Sequence, residues 1–108
     1  MQLDDFQQAA RRTAIYPDRH RVIYPALGLA SEAGEVCGKI KKVLRDRGGD
    51  LDRAPVAALK DELGDVLWYV AVLAADLGLS LDEIAAHNLA KLASRQQRDR
   101  LGGEGDRR

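Results

Sequence analysis

Glu62-Leu63-Gly64-Asp65-Val66-Leu67-Trp68-Tyr69 decides the fold. With Leu59 before it and Val70 and Leu73 after it, Leu63, Val66 and Leu67 recur at the spacing of one helix face, not at the alternation of a strand. Into that helix the sequence inserts Glu62 and Asp65, three residues apart and so on one face. Between them stands Gly64, at a cost of about 1 kcal/mol relative to alanine in a helix interior. Ser31-Glu32-Ala33-Gly34-Glu35 repeats the device beside a second apolar stripe of Leu29, Ala33, Val36, Ile40, Val43 and Leu44. One acid pair of this kind is ordinary on a solvated helix face. Two on consecutive helices would bury charge at a cost that cations must offset, which points to bound divalent metal. The two glycines imply that a helix neighbour or a ligand needs space beside the acids.

Outward from these stripes, Pro25 suits a first helical position, and the second helix is expected at about residues 26 to 46, before Arg47-Gly48-Gly49-Asp50 breaks it. Pro55 opens the third helix, which reaches Leu77-Gly78; Ser80 with Glu83 resembles a capping box and starts a fourth, ending about Gln97. Leu3, Phe6, Ala9, Ala10 and Thr13 give a first helix over about 3 to 13. Between it and the second helix, Tyr16-Pro17 and Tyr24-Pro25 form two aromatic corners of a loop, each proline disfavouring helix at its tyrosine. Four helices with short connections predict an all-α four-helix bundle. At 108 residues the core is small, and the bundle is expected to be completed by oligomerisation, as a homodimer or homotetramer. Residues 1–97 form the domain, and the Gly- and Arg-rich residues 98–108 a C-terminal tail.

Lys plus Arg balances Asp plus Glu at 17 each, which argues against a nucleic acid polymer as partner. The longest apolar run, Val66 to Ala75, falls well short of the ~20 residues of a membrane span, so no membrane partner is expected either. A single cysteine, Cys37, fits a reducing, cytoplasmic setting and reads as a small buried residue. His20 and His87 read as surface residues, and Trp68 as core or dimer interface.

An oxygen-only donor set suits Mg²⁺, with Mn²⁺ the alternative. Neither histidine lies three residues after a glutamate, so the Glu-x-x-His pattern of di-iron bundles is missing, and a zinc cage would need more Cys or His. Lys39 and Lys42 continue the flank of Glu32 and Glu35, and Tyr69 continues that of Glu62 and Asp65.

At these residues the chain resembles the MazG-like, all-α nucleoside triphosphate pyrophosphohydrolases, whose signature is E-E-x-x-E followed by E-x-x-D on the next helix. Glu32 and Glu35 match the second and third glutamates, Glu62 and Asp65 match the second motif in full, and Asn88-Leu89-Ala90-Lys91-Leu92-Ala93-Ser94-Arg95 extends the likeness to roughly residues 24 to 95. Ser31 stands where the first glutamate would be, which bears on the number of ions held. The resemblance implies that Glu32, Glu35, Glu62 and Asp65 hold Mg²⁺ on a triphosphate, and that water cleaves between the α and β phosphorus to give a monophosphate and pyrophosphate. Glu35 or Glu32 is then the candidate general base. Lys39, Lys42, Lys91 and Arg95 become phosphate contacts, Asn88 a contact to phosphate or sugar, and Tyr69 a ring over base or sugar. Nucleotide-pool house-cleaning is the implied purpose. A pyrophosphohydrolase for another nucleotide, such as phosphoribosyl-ATP, and a non-catalytic helical regulatory module stay open beside it.

Overall fold

The computed structural model describes residues 1–108 as four helices and no strand: α1 Leu3–Arg12, α2 Ile23–Arg47, α3 Arg53–Asp76 and α4 Leu81–Gln97, with a 3₁₀ turn at Asp18–His20. Asp4 and Asp5 in the first turn of α1, and Arg11 and Arg12 in its last, match the helix dipole. The start of α2 departs from the sequence reading, because Tyr24 is helical in spite of the proline after it. Pro25 is only the third helical residue, where a backbone N–H has no intrahelical partner to lose. The preceding loop launches the helix instead. Val22, at φ 68° and ψ −55°, is the centre of a γ-turn closed by the Ile23 N–H on the Arg21 carbonyl at 2.7 Å. Holding a β-branched residue there costs on the order of 1–3 kcal/mol, so something must hold it.

At its other end α2 stops on Gly48, whose φ of 58° is left-handed, with the Gly49 N–H returning 3.1 Å to the Val43 carbonyl. The chain then reverses into α3. Val43 shares a groove with Pro55, Lys39 pairs with Glu62, and Gly28 lies under Tyr69, so early residues of α2 meet late residues of α3 in an antiparallel hairpin. This hairpin is the scaffold for both acid pairs.

The core sits at the far end, where α1 packs on the last turns of α3 and the first of α4. Ala10, Ala71, Val72 and Leu81 are buried there, with Phe6, Tyr16, Trp68 and Val70 packed against them. Trp68 is thus a core-side residue, and its Nε1 donates to Thr13 Oγ1 at 2.8 Å. Buried Gln7 ties the α3–α4 turn: its amide donates to the carbonyls of Ala71 and Leu79, and its oxygen accepts the Leu81 N–H at 3.2 Å. Ser80 caps α4 as expected, accepting the Glu83 N–H at 3.2 Å. Asp4 adds a second cap from α1 by accepting the Asp82 N–H and the Ser80 hydroxyl, each at 2.9 Å.

α4 leaves α3 at 103° and shares no packed interface with α2. The four-helix, all-α architecture is as expected, but within one chain the fourth helix leaves the hairpin open. The radius of gyration is 16.8 Å, against about 13 Å for a compact chain of this length. Residues of the apolar stripes consequently face outward: Leu44, Leu63 and Leu67 are 64%, 56% and 42% exposed, Ala33 is exposed as well, and Cys37, expected to be buried, is also exposed. No single helix is long and apolar enough to cross a membrane. Residues 98–108 fold back as a loop around Arg108, whose guanidinium donates to the carbonyls of Leu101, Gly102 and Gly105.

Candidate metal centre

Antiparallel packing brings Glu32 of α2 to the face of α3 that carries Glu62 and Asp65. One carboxylate oxygen from each of the three lies within 4.8 Å of the others. Glu32 and Glu62 are half-buried and Asp65 is exposed, so the cluster opens to solvent on one side. Loss of water pushes the Glu32 carboxyl above the usual carboxylate range, and a hydrogen bond with Glu62 and the charges of Asp65, Glu62 and Glu35 push it further. Such a cluster needs a proton or a cation. Its donors are all hard oxygens, they converge, and water can complete the shell on the open side, which fits a divalent ion of the Mg²⁺ or Mn²⁺ kind.

Glu35 lies one turn along α2, outside the three-carboxylate cluster, and acts on Glu32 through its charge. Lys39 reaches across to Glu62 with Nζ–Oε1 at 3.4 Å. Lys42 lies further along, and both lysines line a groove of about 240 Å³ with Arg47, Pro55 and Ala58, where the C-terminal end of α2 meets the N-terminal end of α3. At Gly34 and Gly64 the structure narrows the sequence reading of a helix neighbour or a ligand. Beyond the backbone of their own helix turns, nothing lies within 4 Å of where their side chains would be, so no other helix of this chain uses the space. The close approach is made at Gly28 instead, where an added Cβ would overlap the Tyr69 ring.

Tyr69, so seated, belongs to a run of four aromatic rings beside the acids. Its ring meets Trp68 edge-on at 4.9 Å and lies 6.5 Å from Tyr24, which stacks on Tyr16 at 4.8 Å. Burial raises the Tyr69 hydroxyl above its ordinary range, and Tyr24, Glu32 and Asp65 add to the effect, which places the phenol next to the cluster's charge. Both aromatic corners of the loop thus take part in the wall.

The α4 residues are elsewhere. Asn88 is exposed; Lys91 Nζ lies 3.8 Å from Asp106, and Arg95, 5% exposed, donates to the Asp106 carbonyl at 2.7 Å. Within one chain, Lys91 and Arg95 hold the C-terminal loop rather than a site on the hairpin. His20 and His87 are exposed, as expected. Asp76 and Gly28 escaped the sequence reading, Gly28 because a glycine early in a helix gives no hint of which ring lies over it.

The chain is thus an all-α protein in which carboxylates converge across an antiparallel helix pair, a donor set that could hold a divalent cation, with the Tyr69 ring beside it. The sequence model of the MazG nucleotide pyrophosphohydrolase domain matches residues 25–98, and the chain belongs to that family. It is 43% identical over 114 residues to the Gene 37 protein of Mycobacterium phage L5, with all of both chains covered. No solved structure gave a significant match. The matched segment runs from the first turn of α2 through the end of α4, so it contains the whole acid cluster.

Proposed function

We propose that this protein is a divalent-metal-dependent pyrophosphohydrolase that converts nucleoside or deoxynucleoside triphosphates to monophosphates and pyrophosphate. The observation that carries this reading is the convergence of Glu32, Glu62 and Asp65 on one point next to Tyr69. A divalent ion held by these three would neutralise phosphate oxygens and make water more acidic. The chain's own groups do the rest. Glu35, outside the cluster and one turn away, is free to accept a proton from attacking water. Lys39 and Lys42 offer charge to the phosphates along the α2–α3 groove, and Tyr69 offers a face to the base or sugar.

Asn88, Lys91 and Arg95 enter this scheme through assembly. Only nine of 108 residues are buried, and Val56, Leu63 and Leu67 on α3 stay exposed on the open side of the hairpin. A homodimer or homotetramer would cover that side and let α4 of one copy approach the hairpin of another.

The test is a panel of nucleotides with Mg²⁺ or Mn²⁺, with products identified. Monophosphate and pyrophosphate are expected, and Asp65→Asn should lower turnover roughly a hundredfold or more while leaving helicity intact. No product from any nucleotide, including phosphoribosyl-ATP, would overturn the reading and favour the non-catalytic module that Ser31 keeps in view.

A further inference from the structure

Asp76 closes α3 with its carboxylate at the negative end of the helix dipole, where a second negative charge is unfavourable, and its side chain is only 12% exposed. Three groups compensate it, all from the loop between α1 and α2. The Tyr16 hydroxyl and the Val22 N–H donate to Oδ2 at 2.7 and 2.9 Å, and Arg21 Nε lies 3.7 Å from Oδ1. The middle of these, Val22, is the residue at positive φ. Its N–H bond to Asp76 therefore fastens the strained turn that starts α2 and delivers Tyr24, two residues on, to the stack with Tyr16.

We propose that Asp76 is a positioning residue for the nucleotide site: by clamping the Arg21–Ile23 turn and the Tyr16 hydroxyl, it fixes Tyr16 and Tyr24 against Tyr69 and so sets the aromatic wall that receives the base or sugar. The inference rests on the pyrophosphohydrolase reading for the ligand's identity, and on the hydrogen bonds above for the positioning. Tyr24 is 46% exposed, which leaves a ring face open to a stacking partner. Asp76 itself lies eleven residues along α3 from Asp65, about 16 Å of helix, so it acts on the wall without touching the carboxylates.

The full chain tests this with steady-state kinetics on its best nucleotide. Asp76→Asn removes the charge that holds Arg21, turns an amide NH2 toward that guanidinium and leaves a weaker, neutral oxygen to accept from Tyr16 and Val22, and is expected to raise KM roughly tenfold with kcat within about twofold. Tyr16→Phe should raise KM less. Val22→Gly, which adopts the turn without strain, should bring the KM of the Asp76→Asn chain most of the way back, an outcome that general loss of stability would not produce in a variant melting well above the assay temperature. Equal loss in kcat and KM, an unchanged KM, or no rescue by Val22→Gly would overturn the proposal. If the wild-type chain hydrolyses no nucleotide, the functional reading fails by itself. Amide exchange over residues 14–26 then decides the positioning claim: faster exchange there in Asp76→Asn, with α3 unchanged, supports it, and unchanged exchange overturns it.

Discussion

Glu32 carries two of the site's constraints at once, since burial and three neighbouring acids all favour its neutral form. Its folded pKa therefore lies above its unfolded one. The stability it contributes without metal is fully present below the unfolded value of about 4.3 and is lost as pH rises through the folded value. We expect Glu32→Gln to raise the melting temperature of the metal-free protein at pH 8, and to remove most of the rise that Mn²⁺ gives the wild type. Calorimetry at two pH values with and without Mn²⁺ checks this; a variant that gains as much from Mn²⁺ as the wild type would exclude Glu32 as a ligand. Asp4 has the opposite sign, because the Asp82 N–H and the Ser80 hydroxyl hold its carboxyl below the ordinary value, so its contribution is present at neutral pH and lost in acid. The three acids that converge were legible in the sequence because two pairs of carboxylates three apart, each beside an apolar stripe, stand on consecutive helices. Asp76 was not, since its partners Tyr16 and Val22 are 60 and 54 residues away and nothing near it in sequence predicts them.

Among the elements, α2 and α3 show how one residue type carries different meanings. Gly28 lets the Tyr69 ring lie on the backbone of α2, whereas Gly34 and Gly64 face open space. Gly28→Ala gains about 1 kcal/mol of helix propensity, but overpacking against a seated ring costs about 1–3 kcal/mol. Net destabilisation is expected, with a shift of Tyr69 visible in the near-ultraviolet circular dichroism. Gly64→Ala meets no such neighbour and is expected to stabilise the isolated chain by about 0.5–1 kcal/mol. Chemical denaturation of both variants at low protein concentration checks the pair, and the opposite order would mean that the two glycines had been assigned the wrong roles. Helix periods and the stops at Gly48 and near Gly78 were readable in advance, to within a few residues. The early start of α2 was not, because it depends on a loop fastened to a distant helix end.

For the molecule as a whole, the open hairpin is the dominant fact. Periodicity marks which helix face is apolar, but not what covers it, and this is why Leu44, Leu63 and Leu67 belong to the apolar stripes and still face outward within one chain. Leu63→Glu together with Leu67→Glu is expected to lower the solution mass to that of one chain without abolishing helicity, as measured by light scattering and circular dichroism. A wild type already of one-chain mass, or an unchanged mass in the variant, would take these two leucines out of any interface.

Cys37 lies on this same open side of α2, three residues beyond Gly34 and seven before Leu44, with its thiol exposed. As the chain's single cysteine, it would act as a clock for assembly if a second copy covers that side. A thiol reagent should modify it quickly in dilute protein and ever more slowly as concentration rises, and nucleotide with Mg²⁺ should slow it again if ligand tightens the pair. The sulfur would then report, without any label or substitution, how much of the population stands alone, and a rate independent of concentration would leave this side of α2 outside any interface.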